Sequence, residues 1–192
     1  MTFRTTRASR TSRSPCRTPS ASAGRTRRWR SGSIAAPDLE AERLGRLEET
    51  LGYRFRDRAL LIRALTHSSF ANEHPPGSHH EKLALLGDAV LSLVVAEHLY
   101  GVDPDAGVGD LTSRRAEVVS GANLARWAAA VELGEALRLG RGEEQTGGRT
   151  RASILATTLE AVLGVVYLEA GLEGARMAIA RLAGWGNGAS AA

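Results

Sequence analysis

Acidic side chains interrupt two otherwise apolar stretches of this 192-residue chain. The first stretch, HEKLALLGDAV at 80–90, contains Glu81 and Asp88, and the second, SILATTLEA at 153–161, contains Glu160. Carboxylates on facing helices could together bind a hard cation such as Mg²⁺, which prefers oxygen ligands and retains several waters. A cation held beside a phosphate supports hydrolysis of a phosphodiester. The alternative interpretation is that these residues are ordinary acids on helix surfaces, where most Asp and Glu residues lie.

The chain around these stretches predicts helices and no strands. Apolar residues recur at helical spacing, and no segment alternates polar and apolar residues between hairpin turns. Asp38 and Asp57 are predicted N-caps, while Pro75-Pro76-Gly77 and the glycine-rich segment 140–148 predict loops. Helices are expected over 38–52, 57–67, 80–100, 110–119, 122–130, 133–137, 151–170 and 172–183. The predicted fold class is all-α.

Basic residues are concentrated at the start of the chain. Residues 1–37 contain nine Arg and no acid, whereas residues 38–192 contain the other 16 basic residues and all 21 acids. The net charge of +4 therefore combines a basic tail with an acidic remainder. The tail lacks hydrophobic periodicity and is predicted to be disordered. Residues 38–184 are the predicted folded domain, and residues 185–192 the predicted flexible C-terminus.

The basic tail allows three interpretations. Its Arg-rich, Ser-rich and acid-free composition is typical of an organellar transit peptide. It would also suit an RNA-contacting arm, because Arg neutralises phosphates and Trp29 can stack on a base. The third interpretation, which we prefer, is a leader without a selected function. Arg outnumbers Lys 24 to 1 over the whole chain, which indicates GC-rich bacterial coding and argues against an organellar address.

Cysteine usage and hydropathy indicate the compartment. Cys16 is the only cysteine, so an intrachain disulfide is excluded and a reducing compartment, the cytoplasm, is expected. No uninterrupted apolar run approaches the roughly 20 residues that a bilayer span needs. The sequence therefore predicts a soluble protein without a membrane partner.

Five motifs resemble segments of the ribonuclease III family, and they occur in the same order. The first stretch is similar to the signature helix N-E-R-L-E-F-L-G-D-A-V, and the second is similar to S-I-L-A-D-x-x-E-A. The other three are LTHSSF at 65–70, GDLT with RAEVV between 109 and 119, and LGRGEEQTGGR at 139–149. The resemblance covers about residues 44–183. It implies the helical, dimer-forming endonuclease-domain fold of that family.

The resemblance also implies a chemistry and its residues. It predicts metal-dependent hydrolysis of double-stranded or structured RNA in RNA processing, with Mg²⁺ as cofactor and Mn²⁺ as a substitute. Asp88 and Glu160 are the predicted catalytic residues and metal ligands, and Glu81 is a predicted ligand through a water. No double-stranded-RNA-binding domain follows the matched segment in this chain, which in length is similar to the Mini-III form.

Three acidic positions of the family are replaced in this chain. Ala84 stands at the position of the first metal-binding Glu, and Thr157 at that of the Asp in the second helix. Val108 replaces the Glu of an E-G-x-L segment. None of these residues supplies a carboxylate, so metal affinity and activity are expected to be weakened. Two hypotheses stay open: a weakened nuclease, and an inactive relative that binds RNA or a ribosomal particle.

The long helix over 80–100 predicts a homodimer. It carries more apolar side chains than one helix face needs to pack within a monomer. The set consists of Leu83, Leu85, Leu86, Val90, Leu93, Val94, Val95 and Leu99.

Two further segments offer weaker candidates for chemistry. His67-Ser68 has no partner acid for nucleophilic catalysis and is predicted to form a helix-ending turn. The loop over 140–148 lacks the Gly-Lys-Ser/Thr of a phosphate-binding loop, and Glu143 or Glu144 is predicted to cap the next helix. The candidate RNA contacts in and after this loop are Gln145, Thr146 and Arg149.

Overall fold

The structure is a computed structural model that describes residues 36–185. Within that range the chain is helical, as predicted, and one isolated bridge joins Thr66 to Arg138. Apart from residues 36, 37 and 185, the predicted tail and the predicted flexible C-terminus lie outside the described residues. The helices are α1 (Ala36–Leu51), α2 (Arg58–Ala64), α3 (Ser68–Glu73), α4 (Glu81–Val102), α5 (Val108–Val118), α6 (Gly121–Ala130), α7 (Leu133–Ala136), α8 (Arg141–Gln145), a 3-10 helix (Gly148–Thr150) and α9 (Ala152–Ala183).

Helices α4 and α9 form the centre of the fold. They contact each other more extensively than any other pair of elements, and α6 makes the next largest contact with α9. Helix α9 is interrupted at Gly171, whose φ of 66° and ψ of −164° are not helical. Glycine tolerates a positive φ because it lacks a Cβ. This interruption confirms the predicted boundary between helices at 170 and 172.

Fully buried leucines hold the shorter helices against this central pair. Each such side chain stabilises the fold by about 1.5–3 kcal/mol through removal of apolar surface from water. Leu47 of α1, Leu61 of α2 and Leu124 of α6 are such residues in the shorter helices. Leu163 of the central helix α9 is buried as well. The core is therefore continuous across the described part of the chain.

By length and composition alone, α4 and α9 could each cross a membrane. Most of the apolar window of α9 is buried inside the fold, and α9 lies against α4. Burial in a protein core accounts for an apolar helix of this length without a bilayer. Less than half of the apolar window of α4 is buried, so part of its apolar surface is left uncovered by the described residues.

Two short helices replace predicted turns. Helix α3 begins at Ser68, because the imidazole of His67 accepts a hydrogen bond from the backbone N–H of Ser69. Helix α8 lies within the predicted loop 140–148, and the carboxylate of Glu73 accepts a hydrogen bond from the N–H of Arg141 at 2.8 Å. The prediction of a helix-ending turn at His67-Ser68 is therefore wrong, as is that of an entirely non-helical loop.

The predicted cap at Asp57 is confirmed, whereas the one at Asp38 is wrong. The Asp57 carboxylate accepts a hydrogen bond from the N–H of Leu60 at 3.0 Å, at the start of α2. Helix α1 begins at Ala36, two residues before the predicted cap. Pro37 then falls in the first helical turn, where the N–H that proline lacks would have no partner within the helix.

The cap at Asp57 gives a test of the fold. We expect Asp57→Ala to lower the free energy of unfolding by about 1 kcal/mol, because it removes the acceptor for a free N–H at the start of α2. Urea denaturation measures the change. Asp105→Ala, at an exposed turn residue, is the control and should change stability by less than about 0.5 kcal/mol. Equal effects of the two substitutions would show that the cap does not stabilise α2.

Candidate functional site

Helices α4 and α9 bring Asp88 and Glu160 together where they cross. The two backbones touch at this point: a Cβ atom added to Gly87 would lie 1.8 Å from the carbonyl oxygen of Glu160. Asp88 directly follows Gly87, and its charge acts on the Glu160 carboxyl. The structure therefore places the two predicted catalytic acids in one site, one on each central helix.

The Glu160 carboxyl is destabilised in its charged form. Burial, and after it the neighbouring charge of Asp88, together raise the pKa of Glu160 to about 7. Asp88 itself is exposed. Among the ion pairs of residues 36–185, none includes either acid. The pair is thus a concentration of negative charge without a protein cation to balance it.

The replaced family positions lie beside these acids. Ala84 is one turn before Asp88 and is only 4% exposed, while Thr157 is one turn before Glu160 and is half-buried. Within residues 36–185, no group of three or more His, Cys, Asp or Glu residues could hold a metal ion. Two carboxylates therefore take the place of the four that the resemblance implied.

The donor set fits one Mg²⁺ ion rather than a pair of ions. Mg²⁺ is commonly bound by one or two carboxylates and keeps several waters in its octahedral shell. Asp88 and Glu160 supply two carboxylates, and the uncompensated charge on them would be balanced by a divalent cation. A second ion would find no further carboxylate at Ala84 or Thr157.

Glu81 lies in the first turn of α4, about two turns before Asp88. It is exposed, and its carboxylate is 3.8 Å from the imidazole Nδ1 of His79. A role for Glu81 as a ligand through a water stays a prediction.

His80 was missed as a residue that positions the start of α4. It is buried, its Nδ1 donates a hydrogen bond to the carbonyl of Thr66 at 2.8 Å, and its ring stacks on that of His67. Burial keeps the pKa of His80 below its ordinary value, although the bond to Thr66 acts in the opposite direction. The only signal in the sequence is that His80 is the first residue of the first stretch.

The three candidate RNA contacts differ in their surroundings. Gln145 and Thr146 are exposed at the end of α8. The Arg149 guanidinium donates to the carbonyl oxygens of Gly134 and Leu137 at 2.8 and 2.9 Å. These contacts hold Arg149 against α7, so its side chain has a structural role that the sequence did not predict.

Glu143 and Glu144 form ion pairs rather than the predicted helix cap. The Glu144 carboxylate is 2.7 Å from the Arg149 guanidinium. Glu143 pairs with Arg151, whose backbone precedes α9. No side-chain hydrogen bond caps α9, whose N-cap residue is Arg151, so the predicted capping role is wrong.

The raised pKa of Glu160 gives a test of the site's electrostatics. The unfolded carboxyl ionises near pH 4.5 and the folded one near pH 7, so the free energy of unfolding should fall as the pH rises between those values. Glu160→Gln removes the ionisation. We expect this variant to gain about 1–3 kcal/mol over the wild type at pH 8 and little at pH 4, as measured by urea denaturation.

Glu169→Gln is the matched control because its pKa is shifted the other way. Burial alone would raise the pKa of Glu169, but hydrogen bonds from the N–H groups of Arg56 and Asp57 and from the Tyr53 hydroxyl together lower it. Its stabilisation should be present at pH 8 and lost as the pH falls below about 4.5. Glu169→Gln should therefore destabilise the protein at pH 8. A Glu160→Gln variant that is also less stable at pH 8 would contradict the conclusion that the charged form of Glu160 is buried without a compensating partner.

Comparison with known proteins identifies the fold. A family model described as Ribonuclease-III-like matches residues 57–183. The chain is 50% identical over 145 residues to "Ribonuclease 3" of Streptomyces coelicolor, covering 76% of this chain and 52% of that protein. It is 48% identical over 134 residues to "Ribonuclease 3" of Desulforamulus reducens, covering 69% and 54%. The chain thus spans about half the length of the curated relatives it matches.

Solved structures agree with this assignment. A crystal structure of the nuclease domain of ribonuclease III from Campylobacter jejuni has a TM-score of 0.67 and 41% identity, covering 72% of this chain and 91% of that one. A second structure of that domain, with a TM-score of 0.68, is described as showing structural flexibility in the region involved in dimer formation. The all-α fold of the described residues is therefore that of a ribonuclease III nuclease domain, and the chain belongs to the ribonuclease III family.

Proposed function

We propose that this chain is a metal-dependent endoribonuclease domain that cuts double-stranded RNA in RNA processing. The observation that carries the proposal is the meeting of Asp88 and Glu160 at the crossing of α4 and α9, without a cation to balance them. Membership of the ribonuclease III family, and relatives named Ribonuclease 3, support phosphodiester hydrolysis as the reaction.

Asp88 and Glu160 would hold one Mg²⁺ ion, for which Mn²⁺ could substitute. Bound there, the ion would supply Lewis-acid stabilisation of charge on the phosphate and an activated water. Glu160 must give up its proton to act as a ligand, and burial makes this harder near neutral pH. Asp88 is exposed, so it presents its carboxylate to the side from which a phosphate can approach.

The two missing carboxylates weaken the proposed activity. Ala84 and Thr157 cannot contribute negative charge, so the site should bind Mg²⁺ less tightly than a site with four carboxylates. Cleavage should therefore need a high concentration of Mg²⁺. Gln145 and Thr146, exposed at the end of α8, are proposed to contact the RNA backbone.

An exposed apolar surface on α4 and α5 is proposed to bind a second copy of the chain. Half of the apolar set predicted for a dimer faces the core instead: Leu83, Val90, Val94 and Val95 are buried. Exposed apolar residues of α4 and α5 include Leu85 at 75% exposure, Leu93 at 49%, Tyr100 at 71% and, on α5, Val108 at 83%. We call these four residues the α4–α5 patch. Exposed apolar groups of this kind mark association surfaces, and the related Campylobacter jejuni domain has a region involved in dimer formation.

The competing function is that of an inactive relative that binds folded RNA or a ribosomal particle. The specific observation in its favour is that only two acids meet in the site, and that no cluster of three potential ligands exists within residues 36–185. A fold can retain a binding surface after its catalytic residues are lost. Cleavage assays separate the two functions.

Cleavage of a long RNA duplex, with Mg²⁺ and then Mn²⁺, tests the proposed enzyme. We expect Glu160→Gln to lower the cleavage rate by at least about a thousandfold while leaving duplex binding within about twofold, because it removes the ligand charge and keeps the shape. Gel-shift titration measures the binding. Wild-type protein that cuts with neither metal would support the inactive relative, and cleavage that survives Glu160→Gln would contradict the site.

Restoring the missing acids is the complementary experiment. Ala84→Glu with Thr157→Asp should lower the Mg²⁺ concentration needed for half-maximal cleavage by about tenfold or more, because more carboxylates bind the ion. The half-buried Thr157 should accept the change more readily than Ala84, which is almost fully buried. Thr157→Asp alone is therefore the conservative variant. An unchanged metal requirement in a folded double variant would contradict the assignment of these positions.

The α4–α5 patch gives a test of assembly. Leu85→Glu with Leu93→Glu should raise the dimer dissociation constant by at least about thirtyfold, because charges would then be buried in the interface. Light scattering at micromolar concentration measures it. Leu168→Glu, at an exposed leucine of α9, is the matched control and should leave the dimer intact. A wild-type protein that is monomeric at that concentration would refute the proposed homodimer.

A further inference from the structure

We propose that Gly164 of α9 is a positioning residue that, together with Gly87 of α4, sets the separation of the Asp88 and Glu160 carboxylates. The inference rests on the proposed function of that pair as a metal site. It assigns to Gly164 a role in metal affinity that is separate from its contribution to stability.

The two glycines face each other across the helix crossing. A Cβ at Gly164 would lie 2.4 Å from the carbonyl oxygen of Leu83 and 3.3 Å from the N of Gly87. A Cβ at Gly87 would lie 1.8 Å from the carbonyl oxygen of Glu160 and 3.0 Å from the N of Gly164. Contacts between carbon and oxygen need about 3.3 Å, and the opposing atoms belong to backbone that cannot rotate away. Any larger side chain at either glycine must therefore push the helices apart.

This contact lies within the carboxylate site. Asp88 is the next residue after Gly87, and Glu160, whose carbonyl touches Gly87, is one turn before Gly164. A separation of α4 from α9 at Gly164 moves one carboxylate away from the other. Because metal ligands must lie within narrow distances of the ion, a shift of about 1 Å is enough to weaken binding.

In the helices of ten or more described residues, the other glycines make no such contact with a second helix. Gly45 in α1 and Gly101 in α4 have no atom within 4 Å of an added Cβ. Gly174 in α9 is buried, and an added Cβ would meet Ala170 at 2.4 Å, but its near neighbours all belong to α9. Glycine is unfavourable inside a helix, so the buried and opposed Gly87 and Gly164 require a packing reason.

The experiment compares Mn²⁺ binding by the wild type and three variants of the full chain. Binding is measured from the electron paramagnetic resonance signal of the Mn²⁺ that stays free in solution. Gly164→Ala should weaken binding by about tenfold or more, in line with the sensitivity of ligand geometry to small shifts. Gly174→Ala overpacks α9 without separating α4 from α9, and Gly101→Ala meets no atom, so both should bind within about twofold of the wild type. Circular dichroism confirms folding, and trimethylamine N-oxide is added to all samples if Gly164→Ala needs stabilisation.

Two outcomes overturn the inference. One is wild-type Mn²⁺ affinity in folded Gly164→Ala; the other is equal loss of affinity in Gly164→Ala and Gly174→Ala, which would reveal a purely structural effect. If the wild type binds no Mn²⁺, the proposed metal site fails. The positioning role is then decided by a crystal structure of Gly164→Ala, in which a carboxylate separation larger by about 1 Å supports it and an unchanged separation overturns it.

Discussion

The backbone contact between α4 and α9 is the constraint on which the site depends. At Gly87 and Gly164 the helices approach until main-chain atoms touch, and no side chain intervenes. The surrounding leucines and valines hold the helices there, because their burial is the main favourable term of the fold. The same approach that completes the core forces two carboxylates into one place. Packing and electrostatics therefore oppose each other at a single crossing.

The conflict between core packing and charge repulsion at this crossing marks Asp88 and Glu160 as candidate functional residues. Glu160 is partly buried and close to a like charge, and no ion pair among residues 36–185 relieves it. By contrast, Glu169 on the same helix receives three hydrogen bonds and contributes to stability. Two glutamates nine residues apart thus have opposite effects on the fold. Sites at which a protein retains an unfavourable charge are commonly functional, and the Asp88–Glu160 pair has this character.

The sequence pattern predicted those elements of the fold whose formation depends on residues that are close together in sequence. The helical periodicity of α4 and α9, the cap at Asp57 and the break at Gly171 all depend on neighbouring residues, and the structure contains each of them. Helix α8 was missed because its first N–H, that of Arg141, donates to the carboxylate of Glu73, far away in sequence. Helix α3 was missed because its cap is the imidazole of His67, and histidine is not among the usual capping residues. For the site, motif resemblance supplied Asp88 and Glu160. Spacing alone did not reveal the facing glycines, since a helical pattern does not say which residues of two helices meet.

The connection between the two central helices has a consequence for the time course of folding. Asp88 and Glu160 are about seventy residues apart in sequence, so their meeting requires closure of a long loop. Contacts of such high sequence separation slow folding, since chain entropy is lost before they form. Repulsion between the acids is added at the step in which α4 docks on α9. Above pH 7, where Glu160 is charged in the folded protein as well, this repulsion is greatest, so α4 should dock on α9 more slowly than at acidic pH.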